Sequence, residues 1–275
     1  MSFVEHDGAT IWYDIQGEGE PLAVIGGDCM ASDQFHFVLP ALIQRFRLVR
    51  WDFRGLGNSD RNPQVHRYVI DEKVEDMKAV LDAAGIERTH IWAIATGTYT
   101  GVTFAARYPE RVGAIIHYGQ CQPTEGGFKI FGILDRIHKE FDWPTACEHM
   151  VHLYAPKPEF MDWTIAVYVK NTNADWLKSY WDELNADITE ELRQTTAPML
   201  VLIGAQGPLG AGTSYGSGWE TTKACRPDAE LEVVEGGTGT YYMVDQADEA
   251  VQKVTAFLER HPLGAGAAGA DLQGN

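Results

Sequence analysis

The sequence predicts an α/β fold, with a mostly parallel, doubly wound sheet interrupted once by a helical insertion. Two observations carry this. Short apolar runs with little polar alternation recur between amphipathic stretches of helical period, as expected for strands covered on both faces. That rhythm stops at Gly119, gives way to a segment rich in Trp, Tyr, Phe and Met, and resumes at Pro198. The 275 residues and 45% hydrophobic content are enough for a substantial core.

Taken in order, Thr10–Ile15 and Pro21–Ile25 read as early strands, Met30–Phe46 as helix and Phe46–Trp51 as strand. Val69–Ala84 places apolar residues at Val69, Val74, Met77, Val80 and Leu81, which is helical spacing. Thr89–Ile94 is a continuous apolar strand, Thr98–Tyr108 a helix stopped by Pro109, and Val112–Tyr118 another strand. From Gly119 to about Thr195 no strand is expected; Phe128, Trp143, Trp163, Tyr168, Trp176, Tyr180 and Trp181 belong to this stretch. Pro198–Ile203 and Leu231–Val234 restore the strand pattern, and Ala247–Glu259 is an amphipathic helix. The domain reading is therefore a core of residues 1–119 and 196–262, a helical cap of 120–195, and a flexible tail of 263–275.

Composition limits the partners. A net charge of −17 argues against nucleic acid and anionic membrane surfaces. No apolar run approaches the roughly 18 residues of a membrane span, and the start lacks a secretory pattern, so a cytoplasmic location is expected. Four dispersed cysteines (Cys29, Cys121, Cys147, Cys225) form no metal or redox motif and read as free thiols. Neither a phosphate loop nor a dinucleotide fingerprint is present; no cofactor and no metal is implied. The expected partner is a hydrophobic small molecule, and a homodimer is compatible with the sequence.

Several motifs resemble the α/β-hydrolase superfamily over about residues 3–261. Val24–Asp28 (VIGGD) is similar to the loop that supplies half an oxyanion hole. Trp51–Asp60 (WDFRGLGNSD) is close to a family loop, Tyr108–Val112 (YPERV) follows at the usual distance, and the insertion after Tyr118 sits where the family carries its cap. The resemblance implies a nucleophile, then an acid, then a histidine. The corresponding positions here are Ala95, Gly207 and Thr240. No histidine occurs between His152 and His261, so an alignment shift does not restore the base. Loss of all three together points to a natural departure rather than a single engineered change.

What remains for chemistry is backbone and a few side chains. The resemblance places Asp28 N–H and Thr96 N–H at the oxyanion hole. Asp28, at its mouth, is a candidate acid or base; its alternative is a loop-forming aspartate. His36, Thr96 and Tyr241 complete the catalytic candidates, although a threonine nucleophile has no base placed for it in the sequence. Gly27, Cys29, Ala95, Tyr118, Trp143, Trp163 and Thr240 are the candidate substrate contacts, the aromatics suiting a flat apolar ligand. The leading expectation is a non-hydrolytic, cofactor-independent enzyme of specialised metabolism, acting on an aromatic or polyketide-like compound by cyclisation or another C–C bond change, a lyase step or oxygenation. A non-catalytic binding protein and a hydrolase with displaced catalytic groups are the alternatives.

Overall fold

The computed structural model describes residues 1–61, 69–123, 125–154, 156–177, 183, 185–207 and 218–264, and of residues 125–130 the backbone alone. Phe128, Tyr180, Trp181 and the tail from 265 onward, all named from the sequence, lie outside the described side chains. Eight strands form one sheet: β1 (Ser2–His6), β2 (Ala9–Gln16), β3 (Glu20–Ile25), β4 (Phe46–Trp51), β5 (Thr89–Ile94), β6 (Val112–Tyr118), β7 (Met199–Gln206) and β8 (Glu230–Thr238). Their order is β1-β2-β4-β3-β5-β6-β7-β8. The β1–β2 and β2–β4 pairs are antiparallel and every other pair is parallel. In β5 and β6 every residue is buried, the signature of strands covered on both faces.

The helices are α1 (Leu39–Leu42), α2 (Ile70–Ala83), α3 (Gly97–Arg107), α4 (Glu125–Glu140), α5 (Trp143–Tyr154), α6 (Met161–Asn171), α7 (Thr189–Gln194), α8 (Trp219–Cys225), α9 (Tyr242–Asp245) and α10 (Ala247–Glu259). Helices α4 to α7 all fall between β6 and β7, on the stretch where the strand rhythm stops. The core beneath the site is anchored by Trp92, which is fully buried on β5. Its ring meets Phe35 edge-on at 5.3 Å, and its indole N–H donates to Tyr242 Oη at 3.1 Å.

Three elements differ from the sequence reading. β1 was not anticipated. It is an antiparallel edge strand whose Phe3 is 59% exposed, so it lacks the continuous apolar run that marks the central strands. The single helix expected over Met30–Phe46 is a 3₁₀ turn, Ala31–Phe35, followed by the four-residue α1. Pro40 lies in the first turn of α1, a position that needs no donor, and so marks a helix start rather than an interior. β8 runs well past Leu231–Val234, to Thr238.

Candidate active site

The turn after β5 carries the site. Ala95 adopts φ +52°, a left-handed conformation that costs an L-residue about 1–2 kcal/mol. The turn is held from below, where Ala95 N–H donates to Tyr118 O at 2.6 Å. It is also hemmed in from the β3 loop. A side chain at Gly27 would bring its Cβ to 2.9 Å from the Ala95 methyl, so the two loops pack at glycine distance. In the first turn of α3, Thr98 N–H and Tyr99 N–H donate back to Ala95 O and Thr96 O at 3.0 and 3.1 Å.

Asp28 follows β3 and is 2% exposed. Thr96 Oγ1 donates to Asp28 Oδ1 at 2.9 Å and accepts from Asp28 N–H at 2.9 Å. This closes a small ring between the loop and the elbow. It also corrects the sequence reading on one point, because the Asp28 N–H assigned to the oxyanion hole is already occupied by the Thr96 hydroxyl. The carboxylate that the sequence could not place for a threonine nucleophile lies within hydrogen-bond reach of it.

Behind Asp28 is a buried charge cluster. Lys73, projecting from α2, donates to both Asp28 oxygens at 3.0 Å and to Glu183 Oε1. All three side chains are about 1% exposed. The ammonium also stands 4.5 Å from the centre of the Phe53 ring. Trp176 completes the set, its indole N–H donating to Asp28 Oδ2 at 3.1 Å. Burial opposes the Lys73 charge, but the Asp28 and Glu183 carboxyls outweigh it and raise its pKa. Burial, then the Asp28 charge, push the Glu183 carboxyl well above the ordinary range, with Lys73 working against them.

The other candidates are distributed as follows. Cys29 is half-buried. Burial first, then the Asp28 charge, raise its thiol pKa far from the reactive range. Tyr241 is buried with its hydroxyl 2.6 Å from that of Tyr168. Trp143 donates to Thr172 Oγ1 at 3.2 Å, and its ring lies 6.0 Å from that of Trp176; Phe131 lies 5.8 Å from the same indole. Aromatic faces from the insertion therefore surround the indole that touches Asp28. Tyr118 is buried at the end of β6. Thr240 is half-buried, and Gly207 takes φ +79°, where an added Cβ would fall 2.7 Å from Thr238 Cγ2. His36 and Trp163 stand apart from the charge cluster. His36 is exposed, with its ring 5.6 Å from Trp163, and Trp163 packs on Phe37 at 4.8 Å. The convergence of Asp28, His36 and a threonine is therefore not found; Asp28 and Thr96 meet without the histidine.

Sequence reasoning missed Lys73, Glu183 and Trp176. A signal for the lysine existed, since Lys73 falls four residues before Met77 and seven before Val80, on the apolar stripe of α2. Nothing comparable marked Glu183.

The family described as "alpha/beta hydrolase fold" matches residues 20–154. The chain is 32% identical over 112 residues to the putative carbamate hydrolase RutD of Azorhizobium caulinodans, covering 41% of this chain and 42% of that protein. It is 32% identical over 118 residues to a 2-hydroxy-6-oxo-6-phenylhexa-2,4-dienoate hydrolase of Comamonas testosteroni, covering 40% and 39% of the two. The chain thus spans about two fifths of the length of these curated relatives. The solved enol-lactonase of Burkholderia xenovorans superposes with a TM-score of 0.79 at 19% identity, covering 94% of this chain and 100% of that one. The chain has the α/β-hydrolase fold, and its residues 20–154 match the model of that family. These relatives carry hydrolase names, which overturns the expectation of a non-hydrolytic enzyme of cyclisation or oxygenation.

Proposed function

We propose that the protein is a hydrolase of an apolar small-molecule ester, lactone or carbamate, working without a Ser/Asp/His triad. The observation that carries this reading is the 2.9 Å hydrogen bond from Thr96 Oγ1 to the buried Asp28 carboxyl, beside an elbow whose backbone is kept. The hydrolase names of the relatives support the reaction class.

In this reading the substrate carbonyl enters beside the Ala95 methyl, which leaves room where a larger nucleophile would stand. Thr96 Oγ1 attacks the carbonyl carbon while its proton passes to Asp28 Oδ1. As the hydroxyl leaves its place against Asp28 N–H, that amide is freed to donate to the developing oxyanion, together with Thr96 N–H at the start of α3. Collapse of the tetrahedral species sends the proton from Asp28 to the leaving oxygen or nitrogen. Water then attacks the acyl–threonine ester, gives its proton to Asp28, and the returning proton restores the Thr96 hydroxyl as the acid departs. Lys73 stays as the fixed counter-charge. The aromatic side chains Trp143, Trp176 and Phe131 favour an apolar acyl group and keep bulk water out. The insertion of residues 120–195 serves as the cap in this scheme, over the core of 1–119 and 196–262.

Hydrolysis of p-nitrophenyl esters and aromatic lactones by the purified protein tests the reading. Thr96→Ser is expected to keep turnover within about tenfold, whereas Thr96→Val and Asp28→Asn are expected to lower kcat/KM by 10²-fold or more, a general-base contribution of ordinary size. Turnover unaffected by Thr96→Val excludes the threonine as nucleophile.

A further inference from the structure

The buried cluster contains one ammonium and two carboxyls. Asp28 accepts from Lys73 with both oxygens, and from Trp176 and Thr96 as well, so its acceptor sites are well supplied. Glu183 is different. Its Oε1 accepts from Lys73, but Oε2 is buried and has no hydrogen-bond partner among the described residues. A carboxylate oxygen left this way is costly to bury, and a second full negative charge beside Asp28 adds repulsion. Both penalties are relieved if the pair carries one proton, because a protonated carboxyl is a donor and Lys73 holds the two side chains against one ammonium.

We propose that Glu183 and Asp28 form a carboxyl–carboxylate pair that shares a single proton across Lys73, with Glu183 holding the proton so that Asp28 remains available as the base. This deepens the hydrolase reading and rests on it for the base role. Glu183 is then a positioning residue, because it acts through Asp28. One negative charge on the pair matches the one positive charge on Lys73. When Asp28 takes the Thr96 proton, the charge that balances Lys73 moves to the substrate oxyanion, and none is created or lost. Among the described residues, the titratable groups that act on Glu183 are Asp28 from the β3 loop and Lys73 from α2, and Tyr99 on α3 feels its charge. The Tyr99 phenol is pushed up by burial, by Cys121 and by Glu183, and stays neutral.

The test is infrared spectroscopy of the full-length protein at pH 7, with and without ¹³C-labelled glutamate, on wild type and Glu183→Gln. A protonated-carboxyl band that shifts with the label and vanishes in Glu183→Gln is the expected result. Its absence from wild type, or its persistence in the variant, overturns the proposal. This readout needs no turnover, so it stands apart from failure of the hydrolase reading. Where a p-nitrophenyl ester is turned over, wild type is expected to lose activity on the alkaline side by about tenfold per pH unit, and Glu183→Gln, which donates at every pH, is expected to lose that limb. An unchanged alkaline limb counts against the proposal. If Glu183→Gln fails to fold, absence of the label-shifted band from wild type still overturns the proposal.

Discussion

Ala95 shows what one residue contributes when its side chain does nothing chemical. Its left-handed φ of +52° belongs to the tight turn between β5 and α3, and its side chain is only a methyl. The strain is held in place by the Tyr118 carbonyl on one side and the glycine contact with Gly27 on the other. Replacing Ala95 by Gly removes the left-handed penalty but adds chain freedom to the unfolded state, so a net stabilisation of up to about 1 kcal/mol is expected. Ala95→Val, branched at Cβ, is expected to lose about 2 kcal/mol or more. Denaturant unfolding of the three proteins measures this; equal stabilities would show that the turn relaxes out of the left-handed region. At the same scale, Thr96 is readable in the sequence only as a small polar residue beside the elbow. Its pairing with Asp28 joins residues 68 positions apart, and no spacing rule reports that.

At the scale of the element, α2 is the informative case. Its buried face contains Val74, Met77, Val80 and Leu81 as the period requires, but also Lys73 and Asp76. Each is matched from another segment. Asp76 takes a two-point contact from Arg54, at 2.7 and 2.6 Å, and Lys73 takes Asp28 and Glu183. The Trp51–Asp60 loop is thereby explained as architecture. Asp52 accepts from Ser32 N–H at 3.0 Å and Asn58 N–H at 2.8 Å, Ser59 accepts from Trp12 N–H at 2.9 Å, and Arg54 locks onto α2. Lys73→Met leaves Asp28 and Glu183 buried without their cation and is expected to cost about 3–5 kcal/mol. Adding Asp28→Asn should recover part of that loss, because the two sites are in contact and their effects are not additive. Chemical unfolding of the two single variants and the double variant checks this; strict additivity would sink the account of the cluster. The helical period alone gave the stripe, and a lysine on it was the available signal. That Glu183 supplies the second carboxyl could not be read, because it comes from the far end of the insertion, 110 residues away.

Across the whole molecule, burial sets a pH dependence distinct from that of the site. His117, on β6, is fully buried with its Nε2 3.3 Å from Thr222 Oγ1 on α8, and burial pulls its pKa down to about 4. The unfolded chain therefore binds a proton near pH 6.5 that the folded state refuses until about pH 4. Stability from this residue is complete above pH 6.5 and is lost as the pH falls through that window, by roughly 3 kcal/mol in all. His117→Gln should flatten the acid side of a stability-against-pH curve measured between pH 7 and 4; an unchanged slope would place the effect elsewhere. No helix among the described residues is long and apolar enough to cross a membrane. The sequence by itself determined the α/β class and the mostly parallel sheet, because apolar period and turn chemistry are local properties carried by neighbouring residues. Only the tertiary structure decided that the Asp28 amide is capped by Thr96, that His36 faces outward, and that Lys73 joins two carboxyls from distant segments. The Asp28, Thr96, Lys73 and Glu183 contacts depend on which buried polar groups meet across the packed layers, and no local preference of the chain reports such a meeting.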